Sequence, residues 1–153
     1  MTDLSFRKAT RADLPAIVAM LADDPLGAAR EEFADPLPAV YLEAFAALER
    51  DPNQFLAIVE AGGQIVGTLQ LSFIPGLSRR GAWRGLIESV RIASSFRGQR
   101  IGEQMIRWAI AQCRERGCKL VQLTTDKSRV DAHRFYDRLG FTASHIGYKL
   151  DLA

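Results

Sequence analysis

The chain has 153 residues, of which 48% are hydrophobic and 25% charged, and its formal net charge is +2. These values are typical of a folded globule and exclude a disordered chain, a collagen-like repeat and a disulfide-stapled miniprotein. No apolar run approaches the roughly 20 residues of a membrane-spanning helix, and the first residues lack the basic and apolar segments of a secretion signal. We therefore expect one domain over residues 1–153, in the cytoplasm and without membrane contact.

The charge is unevenly distributed along the chain. Residues 1–60 carry eleven Asp and Glu against five Lys and Arg, whereas residues 61–153 carry fifteen Lys and Arg against seven Asp and Glu. A basic half indicates either an anionic partner, such as a nucleic acid or a phosphorylated small molecule, or simply a solvated surface. Cys113 and Cys118 are five residues apart. That spacing fits neither a CxxC redox pair nor a zinc ligand set, so two reduced thiols and no metal site are expected.

Apolar periodicity predicts strands interspersed with helices. Extended patterns indicate strands at about residues 4–9, 55–60, 64–74, 83–92, 120–124 and 141–150. Helical spacing indicates helices at about residues 10–21, 38–50, 99–116 and 130–139. Thr10-Arg11-Ala12-Asp13 resembles a capping box, Asp23-Asp24-Pro25 is expected to break the chain, and Ala61-Gly62-Gly63 is a hairpin signal. This order predicts an α/β (α+β) fold, with a mixed sheet and helices on both faces.

The most informative segment is Arg97-Gly98-Gln99-Arg100-Ile101-Gly102, which follows a strand and opens the longest helix. A helix N-terminus offers unpaired N–H donors and the positive end of a dipole, and both favour a bound phosphate. The glycines allow an anion to approach the backbone closely, and the two arginines add positive charge. The segment matches neither the P-loop nor the GxGxxG pattern. By itself it is equally compatible with an ordinary loop that carries surface arginines.

Two further features accompany this segment. Glu88 lies nine residues before Arg97, and the stretch from Ala132 to Phe141 has the pattern A-x-x-F-Y-x-x-x-G-F. With these features the whole chain resembles the GNAT superfamily of acyl-CoA-dependent N-acetyltransferases, whose loop signature is R/Q-x-x-G-x-G/A. Arg97 and Gly102 match the ends of that signature. The chain departs from the family pattern at Arg100, where glycine is usual, and at Arg129, which replaces an asparagine seven residues before Tyr136.

The resemblance implies a single GNAT-like domain with a mostly antiparallel sheet, which transfers an acetyl group from acetyl-CoA to a primary amine. The amine would attack directly in a ternary complex, without a metal or a covalent enzyme intermediate. Glu88 would be the general base and Tyr136 the general acid, and the main chain of Val90 and Ile92 would pair with the pantetheine arm. The implied cofactor-binding residues are Val90, Arg91, Ile92, Arg97, Gly98, Gln99, Arg100, Ile101, Gly102, Glu103 and Arg129.

The same resemblance implies a small-molecule or peptide amine as acceptor and favours a homodimer, with no nucleic acid and no membrane as partner. Two alternatives stay open at this point. A non-catalytic acyl-CoA-binding module would have the same fold. A nucleic-acid-binding domain would use the basic half, although the sequence lacks an aromatic and basic recognition motif. Taken singly, a glutamate such as Glu88 on a strand is more often a solvated or paired carboxylate, and Tyr136 beside Phe135 would be interpreted as a core side chain.

Overall fold

A computed structural model describes residues 2–153. Its contacts divide the chain into two compact units, the first ending at Gln122 and the second comprising Leu123–Ala153. The elements in chain order are β1 (Ser5–Lys8), α1 (Leu14–Ala22), α2 (Pro25–Arg30), α3 (Ala39–Arg50), β2 (Gln54–Ala61), β3 (Gln64–Ile74), α4 (Ser78–Gly81), β4 (Arg84–Ile92), α5 (Ile101–Glu115), β5 (Leu120–Leu123) and α6 (Val130–Arg138). Short 3-10 turns at Arg11–Asp13 and Ser94–Phe96 precede α1 and follow β4.

The strands form one five-stranded sheet in the order β1-β2-β3-β4-β5. The first four strands are consecutive antiparallel neighbours. β2 and β3 are joined at Gly62 and Gly63, whose φ angles of 56° and 78° are conformations that glycine adopts without strain. β5 follows β4 through the crossover helix α5, and Lys119 N–H donates to the Trp83 carbonyl (2.8 Å) just before the two strands begin. The predicted hairpin and the predicted mixed, mostly antiparallel sheet are confirmed.

Helices cover both faces of the sheet within the first unit. On one face, Leu14 and Ile17 of α1 and Phe45 of α3 pack around Ile58 of β2. On the other face lies α5, whose buried side chains are Ile101, Met105, Ile106, Ala109 and Cys113. Burial raises the pKa of the Cys113 thiol to about 12, so this thiol stays protonated near neutral pH. Both cysteines are free.

The start of α1 is anchored by one buried carboxylate. Asp13 accepts hydrogen bonds from the Thr10 N–H (2.7 Å) and the Thr10 hydroxyl (3.1 Å), which realises the predicted capping box. Arg7 of β1 donates to both Asp13 oxygens (2.7 and 2.9 Å) and to Glu60 of β2 (2.9 Å). The Arg7 guanidinium is the main reason why the pKa of Asp13 falls to about 2. This cluster joins the first two strands to the helix.

Of the sequence-based predictions about the chain path, one is incomplete and one is wrong. The chain does break at Asp23 and Asp24, where α1 ends, but an unpredicted helix follows at once. Asp24 accepts a hydrogen bond from Gly27 N–H as the N-cap of α2, with Pro25 in its first turn. Asp24 and Pro25 therefore begin one helix directly after another has ended. The strand expected from Phe141 onward is not formed in the structure. None of the helices within residues 2–153 has the length and apolar composition needed to cross a membrane.

Candidate active site

Strand β4 is irregular immediately after Glu88. Gln70 of β3 lies opposite Glu88, but Thr68 lies opposite Arg91, so three steps along β4 oppose two steps along β3. Ser89 has φ 54°, in the left-handed region that non-glycine residues rarely adopt. This bulge places Glu88 and Arg91 on the same face of the sheet, whereas residues three apart in a regular strand point to opposite faces.

Glu88 is exposed and has polar neighbours on that face. Residues directly opposite each other in a sheet have Cβ atoms about 4.5–5.5 Å apart, so the Gln70 side chain is adjacent to Glu88. Gln70 Nε2 donates to Gln54 Oε1 (3.0 Å), which also accepts from the Ser72 hydroxyl (2.9 Å). The Glu88 carboxylate therefore lies beside a set of side chains that are hydrogen-bonded to each other: Gln70, Gln54 and Ser72.

Among residues 2–153, no strand pairs with β4 beyond Glu88 on the side of β5, and we call this side its open edge. β5 has four residues and begins beside the start of β4, so the part of β4 from Glu88 to Ile92 extends past its end. Ala93 N–H donates to Val66 of β3 (2.8 Å), and because main-chain groups alternate along a strand, those of Val90 and Ile92 point to the open edge. The Val90 carbonyl accepts from Arg91 Nη1 (3.0 Å), which leaves the Val90 N–H and the Ile92 groups to pair with an extended ligand.

The loop after β4 turns into the N-terminus of α5 through two left-handed residues. Gly98 has φ 80° and Arg100, the N-cap, has φ 61°. Arg100 occupies the signature position at which glycine is usual. Its φ lies in the left-handed region, which glycine adopts without strain. The first-turn N–H groups of Ile101, Gly102 and Glu103 have no acceptor within the helix. The backbone here suits a phosphate, as the residue pattern indicates.

The charged side chains of this loop are already in ion pairs. Arg100 and Arg107 both contact the Glu103 carboxylate (3.0 Å each), and they lower the pKa of Glu103, with Arg107 as the larger cause. Two arginines around one carboxylate leave a net positive charge at this helix start. Arg107 is a residue that sequence reasoning missed, although its spacing of four from Glu103 is the usual spacing of a helical ion pair.

The turn between α1 and α2 supplies two more carboxylates. Arg97 Nη2 lies 3.4 Å from Asp23 Oδ2 and 3.2 Å from the Asp23 carbonyl. Arg91 Nε lies 3.2 Å from Asp24 Oδ2. An open cleft of about 350 Å³ lies beside these pairs, lined by Ala19, Met20, Ala22, Asp23, Phe33, Ala93 and Ser94. Sequence reasoning did not find this cleft, because its lining comes from segments that are distant in sequence.

The second unit carries the other two predicted site residues. Tyr136 lies on α6, with its ring 5.1 Å from Phe135 and 5.9 Å from Phe141 between centroids. Arg129 is the N-cap residue of α6, and its carbonyl accepts from His133 N–H (3.2 Å). His133 Nε2 also lies 2.9 Å from the Asp126 carbonyl, so a main-chain contact occupies one nitrogen of its ring. Within residues 2–153, no group of three or more His, Cys, Asp or Glu side chains is arranged to hold a metal ion.

Comparison with known proteins assigns the class of protein to which this fold and site belong. Residues 16–141 match the model of the acetyltransferase (GNAT) family. The match spans most of the chain and includes β4, the loop before α5, and α6. The chain belongs to the GNAT acetyltransferase family, as the residue patterns at Arg97–Gly102 and Ala132–Phe141 indicate.

Individual relatives are similar over most of their length. Aminoalkylphosphonate N-acetyltransferase from Salmonella typhimurium is 35% identical over 108 residues, which cover 71% of this chain and 70% of that protein. Glucosamine 6-phosphate N-acetyltransferase from Trypanosoma brucei brucei is 31% identical over 121 residues, 78% of this chain and 80% of that protein. The crystal structure of a transcriptional regulator from Bacillus halodurans C-125 has a TM-score of 0.95 and 50% identity, covering 98% of this chain and 100% of that one.

Acetyl-CoA is the acyl donor of this family. A predicted acetyltransferase with acetyl-CoA from Clostridium acetobutylicum shares the fold, with a TM-score of 0.74 and 20% identity over 98% of this chain and 97% of that one. The present chain fits this donor in two respects. Its open β4 edge offers main-chain groups to an extended arm, and the α5 N-terminus offers N–H groups and positive charge to a pyrophosphate.

Proposed function

We propose that this protein transfers the acetyl group of acetyl-CoA to the primary amine of a small molecule by direct attack within a ternary complex. The observation that carries the proposal is the course of β4. An exposed carboxylate at Glu88 is followed by a bulge, then by an open strand edge, and then by the anion-binding start of α5. A base, a docking edge for the donor and a phosphate site thus follow each other within one continuous segment.

Glu88 is the general base in this proposal. A protonated amine is not nucleophilic, so Glu88 takes a proton from the ammonium, directly or through a water molecule. The freed nitrogen then forms a bond to the thioester carbonyl carbon, and the N–H of Val90 at the open edge stabilises the charge that develops on the oxygen. When the C–S bond breaks, the Tyr136 hydroxyl gives its proton to the departing thiolate, and the second proton that the nitrogen loses as the amide forms returns to the tyrosinate directly or through a water molecule. No covalent bond to the protein is formed.

The acceptor class follows from the relatives and from the site together. Both curated relatives are named for amines that carry phosphorus, a phosphonate in one and a phosphate in the other. The hydrogen-bonded side chains of Gln54 and Gln70 lie next to Glu88, where they are available to bind the polar part of such an acceptor. We therefore propose a primary amine with a phosphonate or phosphate group as acceptor. The reaction would occur in the cytoplasm, in a single domain that includes both units.

The proposal is tested by mass-detected acetylation of three matched amines. These are an aminoalkylphosphonate, glucosamine 6-phosphate, and glucosamine, which lacks the phosphate. Acetylation of at least one of the two phosphorus-containing amines, at a rate well above that of glucosamine, is the expected result. Tight acetyl-CoA binding without turnover on any primary amine would favour the alternative of a non-catalytic acyl-CoA-binding module. A rate for glucosamine equal to that of the better phosphorus-containing amine would contradict the acceptor class alone.

A further inference from the structure

One face of the sheet is polar where β3 and β4 lie beside each other. Gly85 and Leu71 face α5, because a Cβ built on Gly85 would meet the Cys113 Sγ and would lie 3.9 Å from the Leu71 Cδ1. Side chains alternate along a strand, so the residues on either side of these two face the other way. That second face, which we call the polar face, carries five polar or charged side chains: Thr68, Gln70 and Ser72 of β3, and Arg84 and Glu88 of β4.

Arg84 differs from the other half-buried cations of the protein. Within residues 2–153, every lysine is exposed, and three arginines are half-buried: Arg7, Arg84 and Arg91. Arg7 and Arg91 each contact a carboxylate, at 2.7 and 3.2 Å. The Arg84 side chain forms no ion pair and no hydrogen bond with any residue in the same range. A cation that loses part of its hydration without gaining a partner is unfavourable, and a bound anion would supply the missing contacts.

Arg84 and Glu88 give the polar face one positive and one negative end. They are four positions apart on β4, which is about 13 Å at roughly 3.3 Å per residue. Gln54 lies in the row between them, because it is opposite Ser72, which is opposite Leu86. Gln54 Oε1 already accepts two hydrogen bonds. Its amide N–H groups, which have no acceptor within residues 2–153, can donate to a ligand. The polar face thus suits a molecule with an ammonium at one end and an anion at the other.

We propose that Arg84 binds the phosphonate or phosphate group of the acceptor and thereby selects phosphorus-containing amines over amines that lack phosphorus. The inference rests on the proposed function, because it places the amine of the same molecule at Glu88. The planar guanidinium donates two parallel hydrogen bonds to oxygens of such a group, which a lysine does not do. Arg84 is a specificity-determining residue in this arrangement and takes no part in the proton transfers.

The test is calorimetric titration of the full chain with 2-aminoethylphosphonate and with glucosamine 6-phosphate, at saturating coenzyme A. Coenzyme A carries no acetyl group, so binding is measured without turnover. Arg84→Gln should weaken at least tenfold the binding of the amine that the wild type binds better. Arg84→Lys keeps the charge but loses the paired donors, and its affinity should lie between the two. Arg114→Gln is the matched control, because Arg114 is an exposed arginine of α5, on the other side of the sheet. It should bind as the wild type does.

Steady-state rates test the selection itself. The counterparts without phosphorus are ethylamine and glucosamine. The ratio of kcat/KM for the better phosphorus-containing amine to that for its counterpart should fall at least tenfold in Arg84→Gln. The change should come mainly through KM, because the contact is remote from the reacting atoms. Circular dichroism establishes that the variants are folded. If Arg84→Gln does not fold, phenylglyoxal labelling of the wild type decides, since the bound amine should protect Arg84 and not Arg114.

Three results would overturn the role of Arg84. Equal affinities of Arg84→Gln and Arg114→Gln, or equal protection of both arginines, would place the anion elsewhere and leave the proposed function intact. An equal loss of kcat/KM with an amine and its phosphorus-free counterpart would assign Arg84 to the site in general rather than to the anion. A wild type that binds neither phosphorus-containing amine would overturn both this role and the acceptor class, whereas its turnover of other primary amines would keep the acetyltransferase activity.

Discussion

At the scale of single residues, Glu88 and Arg91 depend on the backbone conformation of Ser89. Without the bulge, Glu88 and Arg91 would point to opposite faces of the sheet, and β4 would pair with β3 in an unbroken register. A left-handed non-glycine residue costs roughly 1–2 kcal/mol. Strain of this size is maintained when the surrounding structure imposes it, and it is concentrated at functional sites.

The role of Glu88 predicts a pH-dependent defect. Glu88→Gln keeps the shape of the side chain but removes the base, so turnover at neutral pH should fall by roughly 10²–10⁴-fold. The deficit should shrink as the pH rises toward the pKa of the amine, because the acceptor then arrives already deprotonated. Steady-state rates across pH, together with acetyl-CoA affinity, provide the measurement. Affinity should be unchanged.

Glu115→Gln is the matched control for this experiment, because it removes the same charge from an exposed residue at the end of α5. It should have wild-type rates at every pH. A Glu88→Gln enzyme with wild-type turnover at pH 7 would exclude Glu88 from the mechanism and leave the family assignment intact.

We expect the substitution Arg100→Gly to stabilise the fold and to weaken the binding of acetyl-CoA. Because its φ of 61° strains any side chain, Arg100→Gly should raise the free energy of unfolding by about 1 kcal/mol. The same change removes a positive charge from the phosphate site, so acetyl-CoA should bind more weakly. Denaturant unfolding and calorimetric titration measure the two effects.

Arg107→Gly removes the other arginine that contacts Glu103, but from the interior of a helix. It should lower the free energy of unfolding by about 1 kcal/mol. If the two glycine variants change stability in the same direction, the strain at Arg100 is not the cause.

At the scale of elements, the function of α5 depends on its first turn. Gly102→Asp places a carboxylate where phosphate oxygens are expected, and acetyl-CoA affinity should fall at least tenfold, about 1.4 kcal/mol. An acidic residue in the first turn of a helix is favourable to the fold. The loss of binding should therefore come without a loss of thermal stability.

Ala111→Asp adds the same charge to an exposed position later in α5 and serves as the control. It should bind acetyl-CoA as the wild type does. Unchanged affinity in a folded Gly102→Asp variant would contradict the phosphate site at this helix start.

Most elements could be predicted from the sequence, since apolar periodicity located every strand from β1 to β5 and the long helices. The exceptions have specific physical causes. Asp24-Pro25 is compatible with a break or with a helix start, and only the hydrogen bond from Gly27 N–H distinguishes them. The tail from Ile146 to Leu152 has a strand pattern, but a pattern does not supply the partner that a strand needs. The bulge at Ser89 leaves no mark in the sequence, because serine is not a residue type that favours φ 54°.

At the scale of the whole molecule, stability should depend on the Asp13 cluster at acid pH. Asp13 binds its proton less readily in the folded chain, with a pKa of about 2, than at its ordinary value of 3.8. Its stabilising contribution is therefore complete above about pH 4–5 and is lost as the pH falls toward 2. We expect roughly 1–2 kcal/mol, reduced because the Arg7 side chain is 38% exposed.

Asp13→Asn tests this contribution through urea unfolding at pH 7 and pH 3. The variant should be less stable than the wild type at pH 7, and the difference should narrow at pH 3. Asp3→Asn, which alters a carboxylate ahead of β1, is the control and should show neither effect. If the free energies of unfolding of Asp13→Asn and the wild type differ by the same amount at both pH values, the loss of stability comes from packing rather than from charge.

Because Arg97 is paired with Asp23, an anion that binds to Arg97 in the loop before α5 has to displace a carboxylate. A phosphate that binds at Arg97 replaces a carboxylate that already lies 3.4 Å away, so one anion is exchanged for another. Added salt weakens the incoming contact and the displaced contact together. Donor binding should therefore vary less with ionic strength than the number of arginines suggests, and the loop should favour a multiply charged pyrophosphate over singly charged anions.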